Sequence, residues 1–273
     1  MNALKTMNEH SMKILHLSII WLGVFLSLPA SARDWSEIVR SGTLLVGTTG
    51  DYPPLTLRDR QGQYQGFAID MAESLSSYLS LVSGKTIRVE FIRTHWPDLH
   101  SDLNLDRFDI AMGGITRTED RDKQFLLSDN VIPSGKVVLI QNNLATPFKG
   151  LNNQTLLDKL NTSDLHLVIN PGGTNQRFAM QYLPSMRFTM AVDNREPFLM
   201  LRNRQADVMV TDLIEANHQL KQIPALTIIN PDMFTWTISH KVYMMPKSSH
   251  TLLKEVNRWL KLTDIEKIKK NWF

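Results

Sequence analysis

Two carboxylates three residues apart, Asp212 and Glu215, close a short apolar run in the segment Ala206-Asp-Val-Met-Val-Thr-Asp-Leu-Ile-Glu-Ala216. An acid at the end of a buried strand is costly unless a ligand, a partner or a proton compensates it. If a helix starts there, residues three apart share a face and both acids can look into one cavity. One could then hold a ligand while its neighbour keeps a proton. The same residues also fit an N-cap Asp followed by an ordinary first-turn Glu. Local spacing leaves both readings open.

Two further groups have chemical potential. Arg121 follows Thr116-Arg-Thr-Glu-Asp120, and its guanidinium fork suits a bidentate carboxylate contact, although a surface pair with Glu119 or Asp120 would use the same residues. Asn170-Pro-Gly-Gly-Thr-Asn175 joins a strand pattern to a helix pattern. Its glycines can bring backbone N–H groups to an anion, with Thr174 adding a hydroxyl, or can form a plain turn with Thr174 as a helix cap. The eight histidines show no metal-ligand spacing, and no Gly-x-Ser-x-Gly, Walker or Rossmann pattern occurs. The expectation is a site with neither metal nor cofactor.

The elements that must position these residues alternate between apolar β-rich runs and helical spacing, which argues for an α/β layer fold. Strands are expected over 43–48, 87–92, 108–112, 136–141, 165–169 and 207–210, with 242–246 near the C-terminus. Helices are expected over 66–75, 96–105, 174–182, 196–204 and 252–262, and the prolines of Gly50-Asp-Tyr-Pro-Pro54 require a turn. Arg107-Phe-Asp-Ile-Ala-Met112 and Gln205-Ala-Asp-Val-Met-Val210 share one pattern, an Asp followed by a short buried strand. Ligands in open α/β sheets gather at strand C-termini, so two such units suggest two lobes facing a shared cleft.

Residues 1–32 read as a cleaved secretory signal: Lys13, an apolar run over 14–28, then Pro29-Ala-Ser-Ala32. That run is too short and wrongly flanked for a stable membrane span, and Met12-Lys13 would itself open a normal signal. No comparable apolar stretch follows, so the mature chain is expected without a membrane span, in the periplasm. An exported chain with no cysteine rests on its core rather than on disulfides. The net charge of +3 and the scattered Lys and Arg residues argue against nucleic-acid binding. The basic cluster Lys261 with Lys267 to Lys270 fits a solvated helix face.

Six segments carry a resemblance: Thr48-Thr-Gly-Asp-Tyr-Pro53, Gly66-Phe-Ala-Ile-Asp-Met71, His95-Trp-Pro97, Phe108-Asp-Ile-Ala-Met112, Asn170-Pro-Gly-Gly-Thr-Asn175 and Thr211-Asp-Leu-Ile-Glu-Ala216. Through them the mature chain resembles the type 2 periplasmic solute-binding proteins that capture polar amino acids. Trp96-Pro97, the Asn170 run and the Glu215 run point more narrowly to that family's exported prephenate/arogenate dehydratases. The resemblance implies two α/β lobes, 33–138 with 239–273 and 139–238, joined by two hinge crossings around a ligand cleft. It implies that Arg121 clamps a carboxylate and that Tyr52 and Trp96 sandwich the ligand, although either aromatic could be core. Gly114 and Thr116 would offer a carbonyl and a hydroxyl, while Asn170 and Thr174 would hydrogen-bond the substrate. Asp51 would point into the cleft unless it serves an Asx turn, and Lys136 in the first crossover could meet a second carboxylate. Gln176, Arg177 and Asp129-Asn130-Val131 depart from the family pattern.

The implied reaction removes water and carbon dioxide from a cyclohexadienol, driven by aromatisation, and yields phenylpyruvate from prephenate or phenylalanine from arogenate. Departure of the hydroxyl needs a protonated acid, which a desolvated Glu beside another carboxylate can be. Glu215 is the expected general acid; Asp212 is expected to engage the arogenate amino group or to tune Glu215. The competing reading is a non-catalytic receptor that delivers an amino acid to an ABC permease, since fold alone does not decide function. N-terminal sequencing of the exported protein should begin at Arg33, and a start elsewhere would displace the proposed cleavage after Ala32.

Overall fold

A computed structural model describes residues 33–273, so the predicted signal over residues 1–32 lies outside the described residues. In chain order the strands are β1 (Thr43–Thr48), β2 (Asp51–Tyr52), β3 (Thr56–Arg58), β4 (Tyr64–Gln65), β5 (Arg88–Arg93), β6 (Ile110–Ala111), β7 (Leu126–Leu127) and β8 (Ile132–Ser134). They continue with β9 (Lys136–Gln141), β10 (His166–Ile169), β11 (Arg187–Met190), β12 (Val208–Asp212), β13 (Leu226–Ile228), β14 (Ser239–Lys241) and β15 (Met244–Met245). The helices are α1 (Trp35–Ser41), α2 (Phe67–Ser83), α3 (Leu99–Asn104), α4 (Glu119–Gln124), α5 (Asn153–Asn161), α6 (Gly173–Tyr182), α7 (Glu196–Arg202), α8 (Leu213–Leu220), α9 (His250–Leu262) and α10 (Ile265–Lys269).

These strands build two five-stranded mixed sheets, ordered β5-β1-β6-β15-β7 and β11-β10-β12-β9-β13. In each, one short parallel strand preceded by an Asp occupies the centre: β6 follows Asp109 and β12 follows Asp207. Asp109 Oδ2 accepts from Leu45 N at 2.8 Å, and Asp207 Oδ2 accepts from His166 N at 2.9 Å. The repeated sequence pattern thus has a structural basis, with each Asp satisfying the N–H of a neighbouring strand. The chain passes between the sheets through β8 and β14, which pair antiparallel with Ser239 opposite Ser134 and Lys241 opposite Ile132. All six residues of β9 belong to the second sheet, so the first passage falls at Gly135, ahead of the sequence-based boundary at 138.

Packing explains the element boundaries. Helix α2 runs to Ser83, past the sequence-based end at 75, because Ser76 and Ser80 both donate to the Ile87 carbonyl and Gly84 supplies the left-handed stop. Helix α3 is shorter than the expected 96–105 and begins at Leu99. Pro97 disfavours helical backbone at Trp96, and that residue lies instead in a turn closed by Asp98 N donating to the His95 carbonyl at 3.0 Å. Helix α9 buries Leu252, Val256, Trp259 and Leu260, a single stripe at helical spacing against the first sheet's core. Trp259 stacks on Tyr243 and donates from Nε1 to Ser74 Oγ at 3.1 Å. Helices α1 and α5 were not expected from sequence; both are short and capped, by Asp34 and Asn152 respectively. Among the described residues no helix is long and apolar enough to cross a membrane.

Trp259→Ala should lower unfolding stability by about 3–5 kcal/mol, read by urea denaturation, because the ring is nearly fully buried and leaves a cavity.

Candidate active site

Strand β12 delivers Asp212 to the gap between the two sheets, and α8 begins with the next residue. Asp212 occupies the N-cap position, yet its side chain makes no capping hydrogen bond. Lys136 Nζ instead donates to Oδ1 at 2.8 Å, and Lys241 Nζ to Oδ2 at 2.6 Å. The Tyr52 hydroxyl also donates to Oδ2. Burial alone would raise this carboxyl, but the two ammonium groups hold Asp212 well below the usual carboxylate range. Lys136 is lowered to about 8, first by burial, with Asp212 opposing that shift and Lys241 reinforcing it.

Glu215 is completely buried one turn into α8. Its Oε2 accepts from the Thr211 hydroxyl, and its Oε1 has no hydrogen-bond partner. Burial pushes its carboxyl far up, the Thr211 hydrogen bond opposes this, and the negative charges of Asp212 and Asp51 add to the rise. Glu215 is thus biased towards its protonated form. The capping reading fails for both acids, because neither side chain serves the helix N-terminus.

Between the sheets lies a cavity of about 20 Å³ lined by Tyr52, Trp96, Gly114, Thr116, Arg121, Asn170, Gly172, Gly173, Thr174, Asn175, Asn194 and Asp212. That is space for roughly one water, against ~300–1,000 Å³ for a ligand pocket, so the lobes are closed on one another. Asp212 lines this space; Glu215, expected beside it, does not. Lys136 and Asp51 also stand outside the lining. Lys136 is turned into Asp212, Thr174 Oγ1 and Asn175 Oδ1. Asp51 accepts from the Asn194 backbone N–H at 3.1 Å and from its Nδ2 at 3.3 Å, a link between the lobes rather than an Asx turn.

The other expected residues have definite surroundings. Arg121 is buried, donating to the Thr116 carbonyl at 2.7 Å and to His100 Nε2 at 3.2 Å; Asp120 pairs instead with Arg177 across the cleft at 3.0 Å. Burial lowers Arg121 to about 10, so it stays cationic at neutral pH, and burial lowers His100 to about 4, which keeps it neutral as the acceptor. The Thr116 carbonyl is thus engaged within its own loop, and its hydroxyl accepts from Lys241 at 2.9 Å. Tyr52 and Trp96 meet edge to face with centroids 5.8 Å apart; Tyr52 is both core and cavity wall. Asn170 donates to Asn194 Oδ1 at 2.7 Å, while its own Oδ1 and Trp96 Nε1 are buried without partners.

The Gly172-Gly173 turn serves a different purpose from the anticipated anion cradle. Gly172 has φ +70°, and a Cβ there would come within 3.1 Å of Pro97 N and 3.2 Å of the Trp96 carbonyl carbon. The turn is bare so that Trp96-Pro97 of the opposite lobe can pack on it. The Gly172 N–H is already taken by the Gln176 side chain, and Thr174 lies inside α6 rather than capping it. Two departures from the family pattern thereby gain roles, Gln176 in bracing the turn and Arg177 in pairing with Asp120.

Lys241, Asn175, Asn194, Thr211 and His100 were missed as site residues. Lys241 carried a usable signal: like Lys136, it is a lone charge at the head of an apolar run, Val242-Tyr-Met-Met245. Thr211 and Asn175 lie beside Asp212 and Thr174 in segments already singled out, whereas Asn194 and His100 are linked to the site only through contacts distant in sequence.

A two-sheet frame with a closed polar cleft at the strand ends is that of an extracellular solute-binding protein, and residues 44–273 match the family of bacterial extracellular solute-binding proteins, family 3. The chain belongs to that family. It is 32% identical over 238 residues to the cyclohexadienyl dehydratase of Pseudomonas aeruginosa, covering 87% of this chain and 84% of the relative. Among solved structures it is similar to an ancestral amino acid-binding protein described as a precursor of cyclohexadienyl dehydratase, at 31% identity and a TM-score of 0.76, covering 87% of this chain and 98% of that one. An ancestral cyclohexadienyl dehydratase is 40% identical with a TM-score of 0.51, over 89% of this chain and 97% of that one.

The raised Glu215 has a consequence for stability. In the unfolded chain this carboxyl ionises near pH ~4.3, whereas in the folded chain it holds its proton to much higher pH. The folded state thus binds the extra proton, and stability falls as pH rises above the unfolded value. Glu215→Gln removes that slope: thermal melts should show the variant at least as stable as the parent at pH 7, with the difference shrinking towards pH 4.

Proposed function

We propose that this protein is an exported lyase that removes water and carbon dioxide from prephenate, and from arogenate where the site admits it, with Glu215 as the general acid. The single observation that carries this reading is the fully buried Glu215 with one carboxyl oxygen unpaired, in surroundings whose low polarity and negative charge favour its protonated form. A receptor gains nothing from such a group, which costs stability at neutral pH; an acid catalyst needs it. The similarity to the Pseudomonas aeruginosa cyclohexadienyl dehydratase supports the same reaction.

The chemistry follows from the surroundings. Arg121 supplies positive charge for a substrate carboxylate in a cleft from which water is excluded, where such contacts strengthen, and the lysines paired with Asp212 add to the positive field behind it. When the ring hydroxyl departs, the Glu215 proton goes to it as water leaves. The C–C bond to the ring carboxylate breaks, its electron pair enters the ring, and carbon dioxide is released. The ring becomes aromatic, and the ionised Glu215 recovers a proton from solvent when the lobes open. The closed cavity is too small for the substrate, so opening precedes binding, and the interlobe contacts of Asp120 with Arg177 and of Asp51 with Asn194 must break first. Periplasmic residence follows from the predicted signal over residues 1–32.

The test is incubation of the purified protein with prephenate while phenylpyruvate formation is followed. Glu215→Gln should lower kcat by about 10²- to 10⁴-fold with KM little changed, the pattern of an interaction made in the transition state. Tight binding of an intact amino acid with no turnover of prephenate would instead identify a receptor.

A further inference from the structure

In a site that recognises an α-amino acid, a carboxylate must be available to the ammonium group. The acid placed for that task here is Asp212, and the protein has already used it. Both of its oxygens are held by the chain's own ammonium groups, at 2.8 Å from Lys136 and 2.6 Å from Lys241, and Tyr52 takes a further lone pair. All three donors are buried.

These contacts are built into the scaffold. Lys136 and Asp212 stand directly opposite each other in the antiparallel β9·β12 ladder, so their pairing belongs to one sheet and does not depend on how far the cleft is closed. Lys241 ends β14, one of the two strands that pass between the sheets, and it also donates to Thr116 Oγ1 at 2.9 Å. Its Nζ lies 5.5 Å from the centroid of the Tyr52 ring, a further favourable contact for the cation. Lys136 opens β9 just after the first passage and Lys241 ends the strand of the second, and both converge on the same carboxylate.

The local charge follows. Arg121, Lys136 and Lys241 bring three cationic side chains to this region, and Asp212 is the carboxylate that both lysines hold, while burial favours the neutral form of Glu215. A ligand ammonium placed here would be a further cation beside two buried ones, and like charges at such distances cost several kcal/mol. Asn170 Oδ1 offers it a buried acceptor, but one without charge. Asp51, the other nearby acid, stands outside the cavity lining and in the closed form accepts from the Asn194 backbone and side chain. A ligand bearing two carboxylates and no amine suits the same set of groups.

We infer that Lys241, acting with Lys136 through Asp212, makes this site select a keto diacid over its α-amino counterpart: of the two candidate substrates, prephenate over arogenate. The inference rests on the lyase reading for its choice of compounds, but not on turnover. Lys241 is a specificity-determining residue that works by occupying the carboxylate an amine would need. Rejection comes from an incorrect partner's uncompensated charge, which is how selective sites commonly discriminate.

Two measurements test it. The first is kcat/KM of the full-length protein for prephenate and for arogenate, read as phenylpyruvate and phenylalanine. The second is calorimetric affinity of the Glu215→Gln variant for the two intact compounds. Prephenate should be favoured at least about tenfold in both, a conservative expectation for an uncompensated like charge. Lys241→Met, which removes the charged partner of Asp212 Oδ2 and leaves only the Tyr52 hydroxyl on it, should narrow the ratio towards arogenate, while Lys241→Arg should preserve it; a purely structural lysine would weaken both substrates alike and leave the ratio unchanged. Equal kcat/KM for the two compounds would overturn the selectivity and leave the lyase reading intact. Turnover of neither, with preferential binding of the keto diacid, would do the reverse. If Lys241→Met does not fold, the parent's two ratios still decide.

Discussion

The structure turns on one buried carboxylate. Asp212 sits where a strand of the second sheet reaches the cleft, and it is kept ionised by two lysines, one from the neighbouring strand of that sheet and one from a strand that passes between the lobes. Removing one partner from such a cluster leaves an unpaired charge in low dielectric, at a cost of ~3–5 kcal/mol. The cluster therefore ties the hinge, the sheet end and the helix start together. It also determines what α8 is for: with Asp212 drawn away from the N-terminus, the helix presents Glu215 to the interior instead of completing a capping pair.

Glu215 gains its character from that arrangement. The acids Asp212 and Asp51 act on it, and the lysines that offset them, Lys241 and Lys136, are themselves paired with Asp212. Burial and negative neighbours act in the same direction, so the proton is retained where an ordinary glutamate would release it. The price is native-state stability at neutral pH, the kind of local sacrifice expected at a site selected for chemistry.

Closure depends on a different set of contacts, and most of them are small or polar. Trp96 packs on a turn of two glycines, Asp51 meets Asn194, and Asp120 meets Arg177 at an exposed edge. None is a large apolar surface. Exposed ion pairs contribute ~0–1 kcal/mol each, so this closed form rests on contacts that a ligand can replace when the lobes separate. The rigid cluster at the hinge and the weak contacts at the cleft edge divide the labour between holding charge and admitting substrate.

Much of the frame was legible in the sequence, because apolar periodicity and turn residues act locally. The central strands and the Asp-led β6 and β12 motifs follow from patterns within a few residues of each side chain, whereas the assignment of Arg121, Tyr52, Trp96 and Asn170 to a cleft came through the family resemblance. Boundaries shifted where distant groups intervened, as with the serines that extend α2 and the proline that delays α3. The meaning of the two acids was not local. Sequence alone placed Asp212 and Glu215 at a helix start and left capping open; only the tertiary structure brought Lys136 from 76 residues away and Lys241 from 29 residues away to claim one of them. A side chain's charge state depends on which groups surround it in space, and chain spacing does not encode those neighbours directly.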